Sequence, residues 1–157
     1  DSVCFRSKRY NSGMTPFHFY HPVEVRYSDL DPQGHLNNAM YLTYFEQARI
    51  NYIVQLGLWQ GGSFLTMSMI VANAQVNFLA PVLFGQKLKV CVRITRLGNK
   101  SMHMEYSLID TETNQELANG STVLVAYDYP NEKTAPIPEH WRDVISEFEG
   151  LPRNSTD

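Results

Sequence analysis

A chain of 157 residues, 43% hydrophobic and 18% charged, is long enough to bury a core in one domain without covalent staples. Its formal net charge of -3 argues against nucleic acid, whose binding proteins present basic patches. No apolar run reaches the length of a membrane span and none reads as a secretory signal, so neither nucleic acid nor membrane is an expected partner.

Residues 1–15 are polar and aperiodic, carry Arg6, Lys8 and Arg9, and are expected to form a flexible or artificially added leader. The domain proper is placed at residues 16–129, with 130–157 as a C-terminal extension. Val23, Val25 and Tyr27 alternate with Glu24, Arg26 and Ser28, the period of a half-buried strand. A polar turn follows, running from Asp29 through Asp31, Pro32, Gln33, Gly34 and His35 to Asn37 and Asn38. Pro32 steers Asp31 away from helical dihedrals, and Gly34 permits a tight bend. Asn37 or Asn38 can cap a helix predicted from about Ala39 to near Gly57, whose first amides lack intrahelical partners. Apolar residues cover this helix almost all round, from Met40, Tyr41 and Leu42 to Val54 and Leu56. It is therefore expected to be wrapped by other structure.

Residues 58–63 form a Gly-rich connection, and 66–79 read as a long strand. Ala72 and Ala74 on one face of that strand are expected to let the helix approach closely, and Pro81 ends the pattern. Three more strands fall at 88–94, 102–108 and 117–127, joined by turns at 97–100 and 110–114. One strand, one apolar helix and four strands joined largely as an antiparallel meander imply an α+β fold. In it a curved antiparallel sheet wraps around one long central helix. Residues 130–138 read as a linker, and 139–149 as a short amphipathic helix through Trp141, Val144, Ile145 and Phe148. Cys4 and Cys91 lie in unlike contexts, so a reduced, cytoplasmic protein is expected rather than one with a disulfide. No CxxC or HExxH spacing supports a metal, and no cofactor is expected.

The chemistry concentrates in the turn. Asp31 sits in a bend beside a helix N-terminus, an end that stabilises negative charge developing on an oxygen. The D-x-D-x-x-G string also describes a calcium loop, but the later ligands and terminal Glu are out of register. It equally describes a polar turn with a helix cap and no chemistry.

The run V-x-V-R-Y-S-D-L-D-P-Q-G-H-L-N-N-A-M-Y-L-T-Y-F-E-Q-A-R resembles the opening of hotdog-fold acyl-CoA thioesterases, in the 4-hydroxybenzoyl-CoA thioesterase-like branch. Its D-L-D-x-x-x-H-x-N-N portion is also similar to plant acyl-carrier-protein thioesterases. The likeness continues through residues 75–85 and covers roughly 17–129. It implies the hotdog fold and hydrolysis of an acyl-CoA thioester, with an acyl-carrier-protein thioester as the other carrier. It places Asp31 at the catalytic position, as nucleophile or general base, and the Asn38 backbone N–H as the donor that polarises the thioester carbonyl. His35 aligns with the plant-type His, whereas Gln33 stands where those enzymes carry Asn.

Some hotdog thioesterases use a helix carboxylate, which makes Glu46 the rival catalytic acid, although Arg49 can pair with it at i,i+3. Gln33, Asn37 and Tyr41 are expected to contact substrate, and Asn73 to face the helix end across a subunit boundary. Arg96, Lys100 and Ser101 flank the turn expected to meet the CoA phosphates. Asp29 is expected to order the turn by accepting backbone N–H bonds. A homodimer, or a tetramer built from it, is expected because a single hotdog sheet leaves a strand edge exposed. Two other readings stay open: a hotdog hydratase acting on acyl thioesters, and a non-catalytic acyl-CoA-binding module.

Overall fold

The computed structural model describes residues 16–153. The expected leader lies outside the described residues. Six strands and two helices follow one another as β1 (Phe19–Glu24), α1 (Asn38–Gln55), β2 (Met69–Phe78), β3 (Lys87–Leu97), β4 (Ser101–Asp110), β5 (Glu116–Asp128), β6 (Lys133–Thr134) and α2 (Glu139–Glu149). Short 3-10 turns at Tyr27–Asp29 and Phe64–Met67 precede the loop and β2.

The strands form one antiparallel sheet in the order β1-β3-β4-β5-β2, with β6 beside the end of β5. The hairpins β3–β4–β5 are the expected meander. β2 departs from it: instead of pairing with β3, it crosses the sheet to pair with β5, from Met69↔Ala126 to Phe78↔Ala118. β1 takes the other edge, where Pro22 can sit without breaking a central ladder. β2 is thus a ten-residue edge strand, bulged around Ala72 and exposed at Val71 and Phe78. Among the described residues nothing pairs with its outer side.

Helix α1 begins and ends where the sequence places it. The Asn37 side chain accepts the Ala39 N–H at 3.0 Å, satisfying one of the orphan amides of the first turn. At the other end Gly57, at φ 70°, donates to Val54 O while Leu58 donates to Ile53 O, the paired bonds of a Schellman cap. Tyr41, Tyr44, Phe45, Ala48, Tyr52 and Ile53 are buried against the sheet. The opposite face is not wrapped: Leu42 is 42% and Val54 47% exposed. A single curved sheet covers one side of a helix, so apolar coverage all round overstates its enclosure within one chain.

The approach of helix and sheet also differs from expectation. A tight contact of helix and sheet falls at Gly120 of β5, whereas Ala72 and Ala74 of β2 are exposed. A Cβ at Gly120 would overlap the Gln75 carbonyl oxygen and come within 2.7 Å of Phe45 Cε2. Phe45 in turn stacks on Tyr106 at 4.8 Å and 6°.

The extension beyond β5 docks through α2, whose Trp141 and Ile145 join the main core. Arg142 Nη2 donates to the carbonyls of Gly98 and Asn99, fastening α2 to the β3–β4 turn. Glu149 is buried, and its Oε1 accepts from the Tyr52 hydroxyl (2.6 Å) and the Ile94 N–H (3.0 Å). Burial pushes the Glu149 carboxyl above its ordinary value, because desolvation outweighs these two bonds. Cys91, fully buried on β3, is disulfide-bonded, which corrects the expectation of reduced cysteines; Cys4 lies outside the described residues. No described helix is long and apolar enough to cross a membrane.

Candidate active site

The loop before α1 is built on two aspartates with different duties. Asp29 is 1% exposed and anchors the loop. Its carboxylate accepts from Arg26 N, Nε and Nη2 and from the Tyr44 hydroxyl, at 2.8 to 3.1 Å. Its carbonyl takes the Asn37 N–H at 2.8 Å, tying the loop to the helix cap. The ordering role expected for Asp29 is therefore present, with Arg26 and Tyr44 as added partners. The Arg26 guanidinium, opposed by partial desolvation, holds the Asp29 carboxyl below its usual value. Burial, then the bond to Asp29, drives the Tyr44 hydroxyl far above its usual value.

A pH prediction follows from this anchor. A lowered folded-state value means that folding favours the ionised Asp29. Its contribution is complete above the ordinary carboxylate value of about 4 and is lost as pH falls through the lowered one. Asp29→Asn should destabilise the protein at neutral pH by about 1.5–3 kcal/mol, the range for hydrogen bonds to charged groups. Thermal unfolding followed from pH 6 downward should show a shallower acid loss in Asp29→Asn than in wild type. Parallel curves would exclude Asp29 as an acid-sensitive anchor.

Asp31 opens the next turn. Asp at the first position, Pro32 at the second and Gly34 at the fourth suit a β-turn, which closes with Gly34 N–H to Asp31 O at 3.0 Å. Asp31 N–H donates to His35 O at 2.7 Å. Asp31 Oδ1 accepts the N–H groups of Gln33 (2.8 Å) and His35 (3.1 Å). Among the described residues Asp31 Oδ2 accepts no hydrogen bond. One oxygen thus orders the loop and the other is available.

The far side of the turn pairs with the segment after β2. His35 bridges Leu83, and Leu36 N–H donates to Val82 O at 2.8 Å. This brings Phe78, Leu79, Ala80 and Pro81 opposite Asp31, Gln33, His35, Leu36, Asn38 and Tyr41, lining an open cavity of about 360 Å³. Tyr41 meets Phe78 edge-on at 4.9 Å and forms the inner wall. Burial first, and the Asp31 charge second, raise the Tyr41 hydroxyl above its ordinary value, so it stays protonated. At the helix end Asn37 takes the Ala39 and Met40 N–H groups, whereas no described group accepts the Asn38 N–H. Asn38 lines the same cavity as Asp31.

Of the residues singled out in the sequence, Asp31, Gln33, His35, Asn38 and Tyr41 converge here. Asn37 caps the helix and does not line the cavity. Glu46 lies farther along α1, its side chain 67% exposed and 3.6 Å from Arg49 Nη2. Asn73 is exposed on β2, five residues before Phe78 and roughly 17 Å away at about 3.3 Å per residue. Arg96, Lys100 and Ser101 flank the turn at the other end of β4; Ser101 is seven residues from Leu108, which lies level with Phe78, or roughly 23 Å along that strand. Lys100 Nζ there donates to Thr134 Oγ1 at 3.2 Å. The wall supplied by Phe78 to Pro81 is a part of the site that the sequence does not announce. A signal is present in the strand-ending Pro81, but only the His35–Leu83 pairing brings that segment to the loop. Among the described residues no cluster of three or more His, Cys, Asp or Glu side chains could hold a metal ion.

Residues 25–145 match the model of the thioesterase-like superfamily. A structure from Thermus thermophilus, described as a thioesterase complexed with coenzyme A and Zn, is similar to this chain at 38% identity and a TM-score of 0.74. The match covers 85% of this chain and 95% of that one. The uncharacterised protein YsmA of Bacillus subtilis is 34% identical over 92 residues, 59% of this chain and 61% of its own. The long-chain acyl-CoA thioesterase FadM of Escherichia coli is 22% identical over 126 residues, covering 80% of this chain and 96% of that protein. With a family match that spans most of its length and a fold shared over 85% of the chain with the coenzyme A-complexed structure, the chain belongs to the thioesterase-like superfamily as a hotdog-fold thioesterase.

Proposed function

We propose that this chain hydrolyses an acyl-CoA thioester to the free acid and CoA. The observation that carries the reading is the pairing, around one cavity, of an unbonded carboxylate oxygen on Asp31 with an unaccepted amide on Asn38. The Asn38 N–H, at the positive end of α1, polarises the thioester carbonyl and stabilises the oxyanion that forms on it. Asp31 Oδ2 acts in one of two ways. As a nucleophile it bonds to the carbonyl carbon and expels the CoA thiolate, leaving a mixed anhydride that water opens. As a general base it takes a proton from water, whose oxygen attacks the same carbon while the thiol departs. His35 and Gln33 border the reacting end and help orient the thioester. The decisive experiment measures free thiol released from a panel of acyl-CoAs. An enzyme that hydrates an unsaturated acyl-CoA but releases no thiol would refute the proposal.

The active form in this reading is a homodimer, with a tetramer as its doubled state. Support comes from the edge of β2, unpaired among the described residues, and from the exposed Val71, Phe78 and Leu79 along it. Because Arg96, Lys100 and Ser101 lie at the other end of the sheet from this chain's own cavity, they would meet the CoA phosphates from a second copy. Light scattering at micromolar concentration should give a dimer or tetramer, and Val71→Glu should shift it toward monomer and lower activity. A fully active monomer would rule out a shared site.

A further inference from the structure

Along α1 the lining of the cavity beside Asp31 reaches Tyr41 and no farther, and along β2 it reaches Phe78. One helical turn beyond Tyr41 stands Phe45, and two residues along β5 from Ala118, the partner of Phe78, stands Gly120. The outer layer, Tyr41 against Phe78, borders open space. The next layer is solid. Phe45 is 1% exposed, lies flat on Tyr106, and approaches Gly120 so closely that no side chain fits between them. Behind it comes a buried polar layer. Arg49 Nη1 donates to the Tyr106 hydroxyl at 3.3 Å, and that hydroxyl lies 2.7 Å from Thr122 Oγ1.

We propose that Phe45, held between Gly120 and Tyr106, is the floor of the acyl site and restricts this enzyme to short-chain and single-ring aryl thioesters. The inference rests on the acyl-CoA hydrolase reading above and adds the acyl class. Two magnitudes support it. At about 360 Å³ the cavity sits near the lower end of small-molecule sites, which span about 300–1,000 Å³. An apolar cavity of about 150 Å³ already holds a benzene ring, so this one has room for a thioester and one ring or a short chain. A longer chain threaded between helix and sheet would first have to displace a stacked pair of aromatic rings. It would then lay methylenes against a guanidinium and two hydroxyls, separating polar groups that now satisfy one another. Phe45 would set specificity by position; it touches none of the reacting atoms.

The test compares kcat/KM for hexanoyl-, benzoyl- and dodecanoyl-CoA by thiol release, in wild type and in Phe45→Leu. Leu is chosen because truncation to Ala would leave a cavity large enough to threaten folding, and thermal unfolding checks that the variant is folded. Wild type should favour the two smaller substrates by at least about tenfold, within the discrimination that a size-limited site supplies. Phe45→Leu should raise the dodecanoyl-to-hexanoyl ratio by about tenfold. Equal turnover of all three by wild type, or a uniform change in Phe45→Leu, overturns the floor while leaving the hydrolase reading intact. Calorimetric binding of the same CoA esters to Asp31→Asn separates the opposite case. If no thiol is released by wild type, yet short esters bind more tightly and Phe45→Leu erases the preference, hydrolysis fails and the floor stands.

Discussion

Asp31→Asn is expected to cut thiol release by about 10²–10⁴-fold, the range for losing a positioned acid–base group. Asparagine keeps the size of the side chain and an oxygen that can accept the Gln33 and His35 amides, so the turn should persist. What it removes is the charge on the second oxygen. CoA-ester binding and the unfolding midpoint should therefore stay close to wild type while kcat falls. Glu46→Gln provides the internal control. Its carboxylate is mostly exposed and pairs with Arg49 at 3.6 Å, the geometry of a weak surface ion pair. A loss of activity below about tenfold is expected there, small beside the catalytic range. The reverse ranking would move the chemistry from the loop to the helix.

Gly120→Ala is expected to be among the most destabilising single-methyl additions in this fold. The new Cβ would overlap the Gln75 carbonyl oxygen on the paired strand and lie 2.7 Å from Phe45 Cε2. Neither neighbour yields cheaply. Gln75 O belongs to the β2–β5 ladder, and the Phe45 ring is stacked on Tyr106. Overpacking of this kind costs about 1–3 kcal/mol and more where relief is blocked, so about 3 kcal/mol is expected. For a chain of this size that lowers Tm by about 6–12 °C. Denaturant and thermal unfolding both measure it. Adding Phe45→Leu should recover part of the loss, because a shorter side chain removes one of the two collisions. A Gly120→Ala protein as stable as wild type would mean that helix and sheet do not approach as closely as described.

Local chemistry determined a good deal by itself. Asp, Pro and Gly at fixed offsets specify the turn at Asp31, an Asx acceptor orders it, and Asn37 and Gly57 mark the ends of α1, because each acts within a few residues of itself. Alternation along β3, β4 and β5 likewise identified strands and one buried face of each, although Cys91, Arg93, Ser107 and Ile109 on the other face of β3 and β4 are buried as well. The roles proposed for the loop carboxylate, its neighbouring imidazole and the helix-end amide came instead from the resemblance to hotdog thioesterases.

Tertiary structure decided what periodicity cannot carry. Alternation says which face of a strand is buried but not which strand lies beside it, so the crossing of β2 to β5 was invisible. Without that pairing nothing brings Phe78 to Pro81 opposite Asp31, and the second wall of the cavity could not be read. Small residues were read only on β2, at Ala72 and Ala74, whereas packing brings Phe45 against Gly120 of β5. The absence of a side chain at Gly120 leaves room for Phe45, which lies stacked on Tyr106 because close-packed groups cannot share space.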